Sequence, residues 1–539
     1  MQGHGGHAAA EVLRRRGIDT VFTLSGGHLF PLYDGLVERG MRLIDTRHEQ
    51  TAVFAAEGWS KLTRRLGTAM VTAGPGVTNS VSAIAGAHLA GSPLLVIGGR
   101  APAARWGSGS LQELDHVPVV AGLCRSAATA TSAAAVPAEI ERAAAAALTA
   151  HRGPAFVDLP LDVLFSTDGD PALPEVAEPP RREPDPDDVE RVAALLLGAE
   201  RPVLLAGSDL YFDHGEAALV RCAEALGLPV FTSGLGRGCI PAGHPHALAR
   251  SRGQALDEAD LVVAAGVPLD FRLRFGELGR PVVHLCDSPG QVARHVPLAA
   301  SAAGDLGLIL DQVVAAAERR GPRPDREGWL GRLRDQEAAL RARETDELEA
   351  EASPIRPGRI YGELRRRLDR DAVVIGDGGD FVSYAGRLLD THTPGCFLDP
   401  GPYGCLGTGA GYALAARLAH PDRQVVLLLG DGAAGFSLLD VDTLVRFGLP
   451  VVIIVGNNAC WGLEKYHMNQ WFGYHVAAEL RPETRYDEVV RALGGHGELV
   501  TESAGIGPAI DRAFAAGVPA LVNVVTDPED VYPRRTVLG

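Results

Sequence analysis

Short apolar runs, each closed by glycine or a polar turn and followed by a helix-length stretch, recur along the whole chain. Leu66–Thr72 runs into Gly74-Pro75-Gly76; after a helix-length stretch, Ser92-Pro93 introduces Leu94–Ile97, which stops at Gly98-Gly99. Far downstream the order returns: Gln424–Leu429, Gly430-Asp431-Gly432, a helix, Leu449-Pro450, Val451–Val455, then Gly456-Asn457-Asn458. A middle stretch carries further runs at Val203–Ala206, Val230–Thr232, Leu261–Ala265 and Val282–Leu285. Continuously apolar strands are buried on both faces, so their alternation with helices predicts parallel sheets covered on each side.

Two shifts in composition divide the chain. From Ser166 to Asp188, closely spaced prolines and acids prevent regular pairing and read as an exposed linker. The second shift, Glu318–Arg326, precedes a charged helical pattern over Trp329–Ala352 and a fresh start at Ser353-Pro354. At 539 residues the chain exceeds what one hydrophobic core supports. The pattern predicts an α/β protein of three doubly wound parallel-sheet domains, at 1–168, 189–325 and 353–539, with the first and third resembling one another.

Composition narrows the function classes. With 46% hydrophobic and 22% charged residues and no apolar run of bilayer length, the chain reads as a soluble globular protein rather than a membrane protein. Met1–His7 shows no targeting pattern, so a cytoplasmic location is expected. A net charge of −16, with no basic stripe, argues against nucleic acid as a partner. The seven scattered cysteines form no Cys-x-x-Cys pair and indicate neither a disulfide framework nor a zinc site.

In open parallel sheets, ligands sit beyond the carboxyl ends of the strands, where loop N–H groups and helix N-termini favour anions. Gly430-Asp431-Gly432 lies at such an end, and Asn457-Asn458 at the next. Each alone is a common turn. Together, Asp431 supplies an anionic oxygen and Asn458 a neutral one at the same edge, which suits Mg²⁺ completing its shell with phosphate and water.

Gly432 and Asn457 are separated by 24 residues, and this spacing resembles the thiamine diphosphate fingerprint. The resemblance covers nearly the whole chain, which is similar to the acetolactate synthases and their relatives: a pyrimidine-binding domain, a middle domain and a diphosphate-binding domain. It implies that Asp431, the Asn458 side chain and the Cys460 main-chain oxygen hold the metal. Gly432 and Ala433 would cradle the diphosphate with Asp377, Gly378, Gly379 and Asp380 at the end of the strand Ala372–Ile375. Arg47-His48-Glu49-Gln50-Thr51, read as ending a short strand, resembles the segment whose glutamate, here Glu49, stabilises the imino form of the cofactor's aminopyrimidine. In Tyr403-Gly404-Cys405-Leu406-Gly407, Leu406 corresponds to the wedge under the bent cofactor and the Gly404 carbonyl to the acceptor for its amino group. Thr72, Pro75 and Asn79 resemble residues lining the pyrimidine end. In this family two subunits complete each site, which implies a homodimer or homotetramer.

The substrate is less sharply indicated. Ser25-Gly26-Gly27-His28, before Pro31-x-Tyr33-Asp34, resembles the acetolactate synthase loop whose N–H groups hold a developing oxyanion. His28 can exchange protons near neutral pH. Gln112-Glu113 resembles the Phe-Gln-Glu element of the synthases, Leu111 replacing the phenylalanine, and Gln112 is a pocket candidate. The middle domain departs from the synthases: Gly266-Val267-Pro268-Leu269-Asp270-Phe271-Arg272 has Pro268 where their flavin-binding run has arginine. FAD is thereby placed in doubt, and the stretch to Gly276 is similar in shape to that of 2-hydroxyacyl-CoA lyases and oxalyl-CoA decarboxylases, which accommodate ADP or nothing redox-active. The resemblance leaves two reactions open: decarboxylation of a 2-oxo acid such as pyruvate with transfer to a second carbonyl, or cleavage of an acyl-CoA. Arg534 and Arg535 are candidates for an acyl-CoA phosphate. A noncatalytic homologue and a dinucleotide oxidoreductase are weaker alternatives, the first because Glu49, Asp431 and Asn458 are all present.

Overall fold

The computed structural model describes residues 3–167 and 172–532. Arg534 and Arg535 lie outside the described residues, as does the acidic part of the linker at 168–171. Three six-stranded sheets follow one another along the chain. The first contains β1 (Thr20–Thr23), β2 (Arg42–Asp45), β3 (Gly67–Val71), β4 (Leu94–Arg100), β5 (Ala127–Thr129) and β6 (Pro154–Pro160). The second contains β7 (Pro202–Ala206), β8 (Val230–Thr232), β9 (Ala247–Leu248), β10 (Leu261–Ala265), β11 (Val282–Cys286) and β12 (Ala300–Ala303). The third contains β13 (Val373–Asp377), β14 (Phe397–Leu398), β15 (Val425–Gly430), β16 (Val452–Asn457), β17 (His496–Val500) and β18 (Ala520–Val525).

The first sheet is ordered β2-β1-β3-β4-β6-β5 and the third β14-β13-β15-β16-β18-β17, which is the same order moved along the chain. The middle sheet is ordered β12-β11-β10-β7-β8-β9. Central pairs are parallel and in continuous register, Gly67↔Leu94 through Val71↔Gly98 in the first sheet and Val426↔Val452 through Gly430↔Gly456 in the third. Strands β3, β7, β10, β11 and β13 are buried at every residue, as their largely apolar character requires, with Thr68, His284 and Asp377 as buried polar exceptions. The winding reverses inside each sheet between β1 and β3, between β7 and β10, and between β13 and β15, and the outer sheets also fold back at their far edge from β5 to β6 and from β17 to β18. At such a point the loops from the two strands part and leave a crevice at the carboxyl edge.

Two expectations shift. The charged helix runs Glu327–Leu348 rather than 329–352. Arg47–Thr51 does not end a strand: β2 stops at Asp45, and Glu49 opens the helix Glu49–Thr63. The reason is capping, since the His48 side chain accepts from the Gln50 amide and starts the helix there. Arg326, the last residue of the second composition shift, is 1% exposed, its guanidinium donating to the carbonyls of Leu196, Ala199 and Leu226. These are the closing carbonyls of helices Pro186–Gly198 and Glu216–Leu226, which would otherwise be buried without donors. Burial lowers the Arg326 pKa to about 10. Arg326→Ala should therefore lose roughly 2–4 kcal/mol of stability, measurable by urea unfolding; an unchanged midpoint would mean that water replaces the guanidinium.

Candidate active site

At the carboxyl edge of the third sheet, where β13 and β15 part, a cavity of about 270 Å³ opens. Gly378, with φ +123°, turns the chain away from β13, and Gly379 precedes the helix Asp380–Leu388. From the other strand, Gly430 leads into the helix Asp431–Ser437, so two helix N-termini face the same space. A Cβ at Gly430 would meet nothing within 4 Å, whereas one at Gly432 would lie 2.5 Å from the Trp461 ring. Gly378, Gly379, Asp380, Asp431, Gly432 and Ala433 all line the cavity. Gly404 and Leu406 border it from one side, Asn458 and Cys460 from the other.

Asp431 is 3% exposed. Its Oδ1 accepts from the Gly432 amide at 3.0 Å, but its Oδ2 is buried with no partner among the described residues. Burial raises its pKa to about 7. A buried, unpartnered carboxylate oxygen is costly unless a cation meets it. Asn458 Oδ1 accepts from the Cys460 amide at 3.2 Å, which turns the loop so that carboxylate and amide border one space. Burial pushes the Cys460 thiol up to about 12, so its carbonyl is the better ligand atom. The donor set, all oxygen, one anionic, and flanked by two helix N-termini, fits a diphosphate held through Mg²⁺.

Asp377 behaves differently from its neighbours. It is fully buried and does not line the cavity; its two oxygens accept from the amides of Gly407 (3.2 Å) and Gly409 (2.8 Å). It thus fixes the turn that presents Leu406, and burial raises its pKa to about 7.

The remaining candidates gather at the winding reversal of the first sheet. Gly26 carries no side chain because a Cβ would lie 2.3 Å from Thr72. His28, 7% exposed, meets the Thr72 hydroxyl through Nδ1 at 3.1 Å, and a Cβ at Gly99 would collide with it. The Thr72 hydroxyl also lies 3.4 Å from Gln112 Oε1. Burial lowers the His28 pKa, favouring a neutral imidazole. Asn79 donates to Glu49 Oε2 at 3.1 Å, while Pro75 is exposed at the start of the helix Pro75–Thr78. Gly27 opens the short turn that carries His28. Glu49 does not line the cavity of the third sheet. The candidate residues thus fall into two groups on one chain, one at each equivalent edge.

Two buried networks escaped the sequence analysis. His116, fully buried, accepts from the Gly74 amide through Nε2 (2.8 Å) and donates through Nδ1 to Asp158 (3.0 Å), which Arg100 also contacts at 2.8 Å. This pillar holds the turn from which Pro75 and Asn79 project. In the second network, Glu57 accepts from Ser92 (3.0 Å), Lys61 (2.8 Å) and Tyr412 (2.7 Å), and Lys61 also donates to the Tyr412 hydroxyl. It joins the helix Glu49–Thr63 to Thr408–Ala419, the helix that follows the Leu406 turn. Glu57, at i+8 from Glu49, stands in Ala55-Ala56-Glu57-Gly58, a run that resembles the pattern of the acetolactate synthases and their relatives, yet nothing in the sequence showed its partners.

The family models for thiamine pyrophosphate enzymes match in chain order: the N-terminal TPP binding domain at residues 3–119, the central domain at 189–313 and the C-terminal TPP binding domain at 377–524. With three doubly wound sheets and this edge site, the chain belongs to the thiamine pyrophosphate enzymes. Within them it is 53% identical over 541 residues to the acetolactate synthase large subunit IlvG of Mycobacterium tuberculosis, covering 99% of this chain and 98% of that one. A probable acetolactate synthase of Mycobacterium bovis matches to the same extent. The 2-hydroxyacyl-CoA lyase 2 of Caenorhabditis elegans is 34% identical over 93% of this chain and 85% of its own.

The Asp377 carboxyl gives a pH test. Its folded pKa lies above its unfolded value, so the folded state holds its proton over a range where the unfolded chain has released it. Its contribution to stability is full below about pH 4 and declines until about pH 7. The unfolding free energy of the ligand-free protein minus that of D377N should fall across this window and then level off; a difference that rises with pH would refute the assignment.

Proposed function

We propose that this chain is a thiamine-diphosphate- and Mg²⁺-dependent carboligase of the acetolactate synthase kind, decarboxylating a 2-oxo acid such as pyruvate and joining the acyl unit to a second carbonyl. The observation carrying this reading is the buried, unpartnered Asp431 Oδ2 in a glycine-lined cavity, on a chain 53% identical to an acetolactate synthase large subunit. When bound, the cofactor supplies the nucleophilic carbon and the electron sink.

The chain's own residues would bind, orient and move protons. Asp431, Asn458 and the Cys460 carbonyl would hold Mg²⁺, with Gly378, Gly379, Asp380, Gly432 and Ala433 around the diphosphate. Asp377 supports the wedge turn rather than the phosphates. Leu406 would enforce the bend, and the Gly404 carbonyl would accept from the pyrimidine amino group. Glu49, oriented by Asn79, would hold a proton at the pyrimidine ring, beside Thr72 and Pro75. Gly26 and Gly27 amides would face the substrate oxyanion, and neutral His28, beside Gln112, would exchange a proton with substrate.

Because the two groups sit on different edges, we place the working site between two copies, as a homodimer or homotetramer. Tyr403, Phe436 and Leu439, all exposed near the third-sheet edge, support that reading. Domain limits of 1–168, 189–325 and 353–539 and a cytoplasmic location belong to the same proposal. No helix among the described residues is long and apolar enough to cross a membrane.

A second reading, cleavage of a 2-hydroxyacyl-CoA, is favoured by the 34%-identical lyase and by Pro268 in the middle domain. Pro268 and Arg272 line a cavity of about 90 Å³ where the three sheets meet, the place for FAD or ADP if either binds.

Calorimetry of thiamine diphosphate binding with and without Mg²⁺, followed by pyruvate turnover, tests the proposal: Mg²⁺-dependent binding with acetolactate formed is expected. Binding without pyruvate turnover would favour the acyl-CoA reading, and no binding to folded protein would overturn both. Glu49→Gln should leave the fold intact and slow turnover by about 10²-fold or more, whereas Asp431→Ala should abolish Mg²⁺-dependent binding; wild-type behaviour in either variant would remove that residue's role.

A further inference from the structure

We propose that His4, His7, Asp34 and Glu38 form a binding site for one transition-metal ion of the Zn²⁺ class, distinct from the Asp431 site. The helices α1 (Gly5–Arg15) and α2 (Phe30–Glu38) touch backbone to backbone. A Cβ at Gly6 would lie 2.2 Å from the Pro31 carbonyl oxygen, and one at Gly35 would lie 2.7 Å from that of Gly6. The Gly5 amide donates to the Ser166 carbonyl at 3.0 Å and anchors the start of α1. This glycine seam sets His4 and His7, three residues apart, over Asp34 and Glu38, four apart.

The two imidazoles stack with centroids 4.0 Å apart, and both Nε2 atoms reach the same oxygen, Asp34 Oδ2, at 3.1 and 3.0 Å. Glu38 Oε2 lies 3.3 Å from His7 Nε2. The ligand atoms of His4, His7 and Asp34 all fall within 4.8 Å of one another. Tetrahedral Zn²⁺ with bonds of about 2.0–2.1 Å has ligand atoms about 3.3 Å apart, close to the separations here, so an ion fits once the imidazoles turn from the Asp34 oxygen. Two imidazole nitrogens with carboxylate oxygens select Zn²⁺ and its first-row neighbours over Mg²⁺ or Ca²⁺.

Electrostatics points the same way. Glu38 closes α2 at the negative end of its dipole, where an acidic group is disfavoured and a cation favoured, one turn beyond Asp34 at the middle of the helix. The imidazoles are 19% and 17% exposed and the carboxylates 59% and 50%, so the cluster opens to water, which can enter any remaining coordination position. The scattered cysteines do not bear on a site built from imidazole and carboxylate. An ion here would tie α1 to the helix that directly follows Gly26-Gly27-His28.

The test uses the full chain, stripped with a chelator and then saturated with Mg²⁺. Zn²⁺ is titrated by calorimetry at neutral pH, with Co²⁺ absorption reporting the coordination geometry. The wild type should bind one equivalent that His4→Gln/His7→Gln loses. Asp34→Asn and Glu38→Gln, which keep side-chain shape, should retain the fold, and Asp34→Asn should weaken binding by about tenfold or more. Zn²⁺ should raise the thermal midpoint of the wild type and leave that of the double variant unmoved. A wild type that binds no Zn²⁺, or a folded double variant with unchanged stoichiometry, would overturn the site and leave an imidazole–carboxylate ion pair only.

Discussion

Strands buried on both faces leave the polypeptide one place for chemistry. When β3, β13 and their neighbours are covered by helices on each side, the only backbone groups free to meet a ligand are those past the strand ends. The winding reversals decide which ends open. All three sheets obey this constraint: a glycine follows each of the six strands that flank the reversals, within two residues of β7, β10, β13 and β15 and three residues after β1 and β3, because the chain must diverge there. Site and fold are thus one consequence of sheet burial.

What the edges cannot supply is relative placement, and buried polar contacts supply that. Glu57, Lys61 and Tyr412 form a desolvated cluster between the first and third domains, and such a cluster tolerates no missing member, because a lone buried charge is far costlier than the intact set. The Thr51 hydroxyl and the Arg47 amide both donate to Asp440, adding a second tie near Glu49. The first turn of the Glu49 helix is therefore gripped from the domain that carries Asp431. Arg326 plays a comparable part inside the middle domain, where a single guanidinium satisfies carbonyls from two helix ends.

Much of the fold was legible because the apolar runs were unbroken. The strands around Met70, Ile97, Leu204, Val263, Ile375 and Leu428 announced themselves by composition, and the likeness of the first and third segments reappears as identical strand order. Short edge strands such as Ala247–Leu248 and Phe397–Leu398 carry too few residues for any periodicity to register. In the candidate site, Asp431, Gly432 and Asn458 were visible because glycines and polar residues interrupt apolar runs at strand ends. Asp377 was visible for the same reason, yet its orientation was not, since only the return of the chain at Gly407 and Gly409 gives its oxygens donors. His116 carried no local signal at all; its partners Gly74 and Asp158 are each 42 positions away.

The shared strand order of the outer sheets has a practical side. Strand for strand, the loop with Gly26-Gly27-His28 after β1 matches that with Gly378-Gly379-Asp380 after β13, Thr72–Pro75 after β3 matches Asp431-Gly432 after β15, and the turn after β4 matches Asn458. Three loop addresses, used twice, carry part of the proposed site, which Glu49 after β2 and Gly404 and Leu406 after β14 complete. A combinatorial library restricted to those six short stretches would sample new substrates without spending diversity on the scaffold, and a loop set moved from one half to the other would still find strands waiting at the correct spacing.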